Sequence, residues 1–155
     1  MHWQLEINDR SQLVSDFAHL DALLRTKEAQ SAVSLSLERV QQHHRPRWER
    51  LLYRVLGVPL AEHEAHGTLV LSLTPDRAMA VFMKDDDDVG VVATAGGANG
   101  HDLVEFVTSR GERFSEPARC CITREMAFAA LREFYQTTKR PKSIEWMRVE
   151  ESRQR

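Results

Sequence analysis

At 155 residues, with 42% hydrophobic and 28% charged side chains, the chain is sized for one domain with a substantial core. A net charge of −2 and a pI near 6.4 argue against a dedicated nucleic-acid binder, which carries a strong basic excess. No apolar run approaches a membrane span, and Met1-His2-Trp3-Gln4 starts with strand-like alternation where a secretory leader would place a basic and then an apolar stretch. The two cysteines are adjacent, Cys120-Cys121, and a bridge between them would be strained; a reducing cytoplasm is the expected setting.

Trp3, Leu5 and Ile7 alternate with His2, Gln4 and Glu6, which predicts a half-buried strand over 2–7. Asn8-Asp9 ends it. Asp9 with Gln12 three residues on resembles a capping box, and Leu13, Val14, Phe17, Leu20 and Leu24 follow at helical spacing, so a helix is predicted to about Arg25. Val33, Leu35 and Leu37 then alternate with Ser34, Ser36 and Glu38, the period of a strand, although residues to 40 would also suit an extended helix. Pro46 suits the first position of another helix, which would bury Trp48, Leu51, Leu52, Val55 and Leu56 and stop at Gly57.

Three strands are predicted next: Thr68 to Leu73, Ala78 to Met83 and Val89 to Thr94. The first two are joined by the turn Thr74-Pro75-Asp76-Arg77, the last two by the acidic tip Lys84-Asp85-Asp86-Asp87-Asp88. Residues 96–100 form a glycine-rich loop, Leu103 to Thr108 another strand, and Gly111 its turn. The pattern predicts an α+β fold: one domain over 1–149, a mainly antiparallel sheet of about six to eight strands with about three helices on it, and a flexible tail at 150–155.

The last third is the most ordered part of the pattern. A short strand around Cys120 to Ile122 leads into a helix from Thr123 to about Thr137, with Met126, Ala127, Ala130, Leu131, Phe134 and Tyr135 on one face and Arg124, Glu125, Arg132, Glu133 and Gln136 mostly towards water. Thr123 is placed to cap it, Pro141 cannot continue it, and Ile144 and Trp146 alternate with Ser143 and Glu145 in a returning strand. Ala127-Phe128-Ala129-Ala130-Leu131-Arg132-Glu133-Phe134, a basic turn, Arg140-Pro141 and Ile144-Glu145-Trp146 together resemble the C-terminal signature of immunity protein family 1. The resemblance covers roughly 120–147 and implies structural roles for Ala127, Ala130, Phe134, Arg140, Pro141 and Trp146. That family usually has a glycine before the Arg-Pro pair, where a helix end takes φ > 0; here Thr138 and Lys139 stand in its place.

The resemblance implies a cytoplasmic, non-enzymatic antidote that forms a heterodimer with one cognate bacterial toxin of an interbacterial-competition (polymorphic toxin) system. The toxin would often be a nucleic-acid deaminase or nuclease. No cofactor, membrane or direct nucleic-acid contact is expected. Four adjacent carboxylates, Asp85, Asp86, Asp87 and Asp88, must sit in water or face cations, and a toxin's phosphate-binding cleft is basic. Tyr53, flanked by Arg50 and Arg54, has the composition of an interface anchor.

Two rival readings remain. His63-Glu64-Ala65-His66 could serve a metal-dependent hydrolase, but its histidines are three apart where the zinc-protease helix has four. Arg45, Arg47, Arg50 and Arg54 could track phosphates in a small nucleic-acid-binding module. Strand alternation at Cys120-Cys121 places one thiol in the core and one on the other face, with no base in view to activate either.

Overall fold

The computed structural model describes residues 2–40, 67–83, 91–94 and 102–148. In chain order these are β1 (His2–Ile7), β2 (Arg10–Val14), α1 (Phe17–Leu24), α2 (Lys27–Gln30), β3 (Ser34–Val40), β4 (Thr68–Leu73), β5 (Arg77–Met83), β6 (Val91–Thr94), β7 (Leu103–Val107) and β8 (Arg113–Pro117). A 3-10 turn at Ala118–Cys120, β9 (Ile122–Thr123), α3 (Arg124–Thr137) and β10 (Glu145–Arg148) complete them. Eight strands form one antiparallel sheet in the order β10-β6-β5-β4-β3-β1-β2, with β9 pairing on β5; β7 and β8 make a separate hairpin. This is the α+β architecture the pattern predicts.

Register puts the apolar alternation on one face. Leu5, Leu37, Leu69 and Phe82 are cross-strand neighbours, and so are Ile7, Leu35, Leu71 and Ala80; all are buried. Helices α1 and α3 cover this face with Leu20, Leu24, Ala127, Phe128, Ala130, Leu131 and Phe134. Ala127 and Ala130 are fully buried, and their short side chains let the α3 backbone approach the sheet closely. Gly67 enters β4 at φ 117°, where a Cβ would stand 2.8 Å from the Phe82 ring, so only glycine fits there.

The opposite face is divided. In one row across the sheet Met147, Val92, Val81 and Val70 give way to Ser36, Glu6 and Ser11. β7 lies against β4. Phe106, Val92, Ala118, Cys120 and Cys121 are buried outside the main core, and Phe106 stacks on Phe114 at 5.4 Å across the β7–β8 hairpin.

The first helix is shorter than its spacing predicts. Asn8 and Asp9 both have positive φ (46° and 67°), the mark of a type I′ hairpin turn, so Arg10–Val14 pairs back on β1 and Asp9 caps nothing. The Asn8 side chain then accepts from the Val33 and Ser34 amides (3.0 and 3.1 Å), fixing that turn to the start of β3. The true cap is Asp16, which accepts from the His19 amide at 2.8 Å. Residues 34–40 are strand, as their alternation predicts, and the preceding single-turn α2 carries no sequence periodicity. Around the cysteines the chain turns as a 3-10 segment at Ala118–Cys120 where a strand is expected, and both Cys120 and Cys121 are buried, neither in the main core. The helix expected from Pro46, Asp85 to Asp88, the 96–100 loop and the 150–155 tail lie outside the described residues.

The C-terminal helix begins and ends where its signals place it. Thr123 accepts from the Met126 amide at 3.2 Å, and Thr138 closes the helix at φ 57°, ψ 13°, donating its amide to the Phe134 carbonyl at 2.8 Å. The left-handed geometry normally given to glycine is therefore present, held by a β-branched residue that pays a steric penalty of about 1–2 kcal/mol there. Thr138→Gly is expected to raise stability by roughly 0.5–1 kcal/mol after glycine's own chain entropy is subtracted, and the thermal midpoint by roughly 1–4 °C. A thermal unfolding scan that shows no rise would mean the turn is not strained by threonine.

Candidate functional site

The polar residues of α3 are not a solvated face; several join the helix to the rest of the fold. Arg124 donates to the carbonyls of Thr74 (2.7 Å), Ala29 (2.9 Å), Gln30 (2.7 Å) and Ala32 (3.2 Å), and its guanidinium lies 5.3 Å from the Phe128 ring centroid. One side chain thus joins the end of α2, the entry to β3 and the β4–β5 turn. Burial pushes its pKa below the ordinary arginine value, although arginine remains charged. Beside it Gln30, Pro75, Asp76, Thr123, Glu125 and Phe128 line a shallow cleft of about 480 Å³. The cation in this cleft is already engaged by the protein's own carbonyls.

About two turns on, Arg132 Nε donates to Asp21 at 2.7 Å, while Arg25 bonds the other oxygen of the same carboxylate at 2.7 Å. The Arg132 hydrogen bond is the main reason Asp21 is held below the ordinary carboxylate range. Glu133 accepts from the amides of Lys142 (2.8 Å) and Ser143 (3.1 Å), which fix the loop into β10; the Lys142 amide is the largest cause of its lowered pKa.

Among the motif residues, Ala127, Ala130 and Phe134 are fully buried, Pro141 is buried and Arg140 is exposed. Trp146 is half-buried and donates its indole N–H to the Pro141 carbonyl at 2.7 Å. Its ring meets Phe82 at 6.3 Å, and Phe82 in turn meets Phe134 at 5.6 Å, so the phenylalanine stands between the tryptophan and the helix. The column continues from Phe134 through Trp3 and Tyr135 to Phe17, which is 36% exposed.

Both thiols are buried, and Cys121 donates to the Pro117 carbonyl at 3.6 Å. Burial first, then the neighbouring Cys120, raises the Cys121 pKa to about 11, so its thiol stays protonated at neutral pH. The expected contact residues Asp85, Asp86, Asp87, Asp88, Tyr53, Arg50 and Arg54 lie outside the described residues, as do His63 and His66. Among the described residues no group of three or more His, Cys, Asp or Glu could hold a metal. Sequence reasoning passed over Arg124 and Glu133. The signal for Arg124 was its place at the first residue of a helix, where a cation opposes the dipole and stays only for a tertiary reason.

The fold and these contacts define an α+β protein in which one antiparallel sheet is capped by a helix pinned through its polar side chains. The family model described as Immunity protein Imm1 matches residues 22–148, and the chain belongs to this family. A comparison with curated proteins finds no match.

The contacts of α3 predict measurable losses. Arg124→Lys, which keeps the charge but cannot reach four carbonyls, should cost about 1–2 kcal/mol, and Arg124→Ala about 3 kcal/mol, in denaturant unfolding. Glu133→Ala should cost about 2 kcal/mol at pH 7 by losing two charge-assisted bonds. Because the folded pKa of Glu133 lies below its ordinary value of 4.5, its stabilisation is present above that value and lost as pH falls through the folded pKa. The gap between wild type and Glu133→Ala should therefore close in acid, and a gap that persists at pH 2.5 would assign the loss to packing.

Proposed function

We propose that the chain is a cytoplasmic bacterial antidote that forms a heterodimer with one cognate toxin and inhibits it by covering its active site or substrate groove, with no chemistry of its own. The observation that carries this reading is the family match over 22–148, which includes the sheet strands from β3 onward and the α3–β10 unit. The protonated, buried thiol of Cys121 is a poor nucleophile and fits a binding role.

The toxin on this reading acts on nucleic acid, as a deaminase or nuclease. Such an enzyme carries a basic groove for phosphates, and Asp85 to Asp88 supply carboxylates that steer encounter and compete for its lysines and arginines. Tyr53 with Arg50 and Arg54 has the composition of a further anchor.

Co-expression tests the class. The chain should restore growth to cells producing the toxin encoded beside its gene and should co-purify with it at a Kd of about 1 nM or tighter, roughly −12 kcal/mol. No rescue and no complex would end the reading. Within it, reversing charge at Asp86 and Asp87 to lysine should slow association and flatten its salt dependence. On-rates equal to wild type would remove the acidic tip from the interface.

A further inference from the structure

We propose that the outer edge of β2, with the carboxylates on the adjoining sheet face, docks an extended lysine- or arginine-bearing segment of the toxin as an added strand. The proposal rests on the toxin-binding reading above and names the surface and the chemistry that it would use.

Among the described residues β2 pairs with β1 alone and ends the eight-stranded sheet. The phase of its ladder follows from the turn. A two-residue turn makes Ile7 and Arg10 a hydrogen-bonded pair, and antiparallel alternation does the same for Leu5–Gln12 and Trp3–Val14. The amides and carbonyls of Ser11 and Leu13 therefore point away from β1. Both residues are exposed, Leu13 at 62%. Edge strands are usually blunted by lysine, proline or a bulge. Arg10-Ser11-Gln12-Leu13-Val14 has none of these, its register is unbroken, and Arg10 at its start is paired with Glu28 at 3.3 Å.

The sheet face beside this edge fixes the partner's charge. Ser11 stands opposite Glu6, which stands opposite Ser36; Leu13 stands opposite Gln4, which stands opposite Glu38. Neither Glu6 nor Glu38 has a cationic partner among the described residues. A strand added to β2 would lie about 10 Å from β1, two strand spacings. A long cationic side chain facing Ser11 would cross that small residue towards Glu6, while a smaller apolar one would rest on Leu13. A second copy of this chain fits less well. Edge-to-edge pairing would bring further carboxylates and no β2 cation to this face, because Arg10 shares the opposite face with Ile7. Backbone bonds would supply affinity and the alternate side chains selectivity, the usual division in strand addition.

The probe is the toxin domain encoded beside this chain's gene, inactivated for purification. In the free protein the Ser11 and Leu13 amides should exchange with deuterium freely, and in the complex at least tenfold more slowly. Leu13→Pro removes an amide that the fold does not use, so it should leave the thermal midpoint within a few degrees and weaken binding at least a hundredfold. Glu6→Lys should weaken it at least tenfold at low salt. Wild-type binding with unchanged exchange at both amides, or with both variants binding as wild type, overturns the edge proposal and leaves the antidote reading standing. Failure of wild type to bind the toxin domain overturns both. Protection of these amides as the chain alone is concentrated would assign the edge to a second copy and overturn the toxin assignment. Should Leu13→Pro fail to fold, the exchange experiment on wild type decides.

Discussion

The placement of α3 depends on one cation surrounded by main-chain oxygen. Among the described residues Arg124 meets no carboxylate; its guanidinium is held by four carbonyls from two segments distant in sequence, 29–32 and the β4–β5 turn. Three of them come from the end of α2 and the residues after it, where a helix leaves carbonyls without partners and the dipole favours a positive charge. A one-turn helix such as α2 has little stability of its own. It persists because an arginine from the far end of the chain satisfies its last carbonyls, and the same arginine anchors the start of α3 against the β4–β5 turn. Helix α3 cannot shift along the sheet without breaking bonds at both places.

A second set of contacts fixes the other end of α3. Thr138 turns the chain out of the helix in the left-handed region, Glu133 gathers the Lys142 and Ser143 amides, and the Trp146 indole closes on the Pro141 carbonyl. These bonds lie within about a dozen residues of one another, so the turn, the proline and the tryptophan form one local unit. Phe82 and Phe134 carry that unit into the core. The family signature is thus largely a description of how β10 is brought back onto β6.

The alternation of Leu5, Leu37, Leu69 and Phe82 made the sheet legible, because a two-residue period admits one buried face and little else. Thr123 and Pro141 marked α3 for similar local reasons. The first hairpin was misread because Asn8-Asp9 serves either as a hairpin turn or as a helix start, and Leu13 and Val14 fit both periods. Only tertiary pairing with β1, strengthened by the Asn8 side chain on β3, decides between them. Arg124, Arg132 and Glu133 were placed in water because amphipathic spacing sorts residues by polarity and is blind to partners outside the helix, whether about a hundred residues away for the two arginines or in the following loop for Glu133. Cys120-Cys121 failed for another reason: a 3-10 turn has no period of two, so the alternation argument had no strand to act on.

The two faces of the sheet have different work. The first is filled by leucines, alanines and aromatic rings under α1 and α3, and any change there is felt as lost packing. On the second, the apolar half (Val70, Val81, Val92) lies on the strands that β7 and the 3-10 turn approach, while the half over β3, β1 and β2 carries Ser36, Glu38, Gln4, Glu6 and Ser11. Residues on that polar half contribute little to the core, so they can change with a partner at small cost to folding. An inhibitor that must follow one toxin needs such a surface, rigid because its backbone is locked in a sheet and variable because its side chains are not. On the proposed toxin-binding reading, separating the helix-covered face from the polar one would let affinity be tuned without loosening the contacts that hold α3.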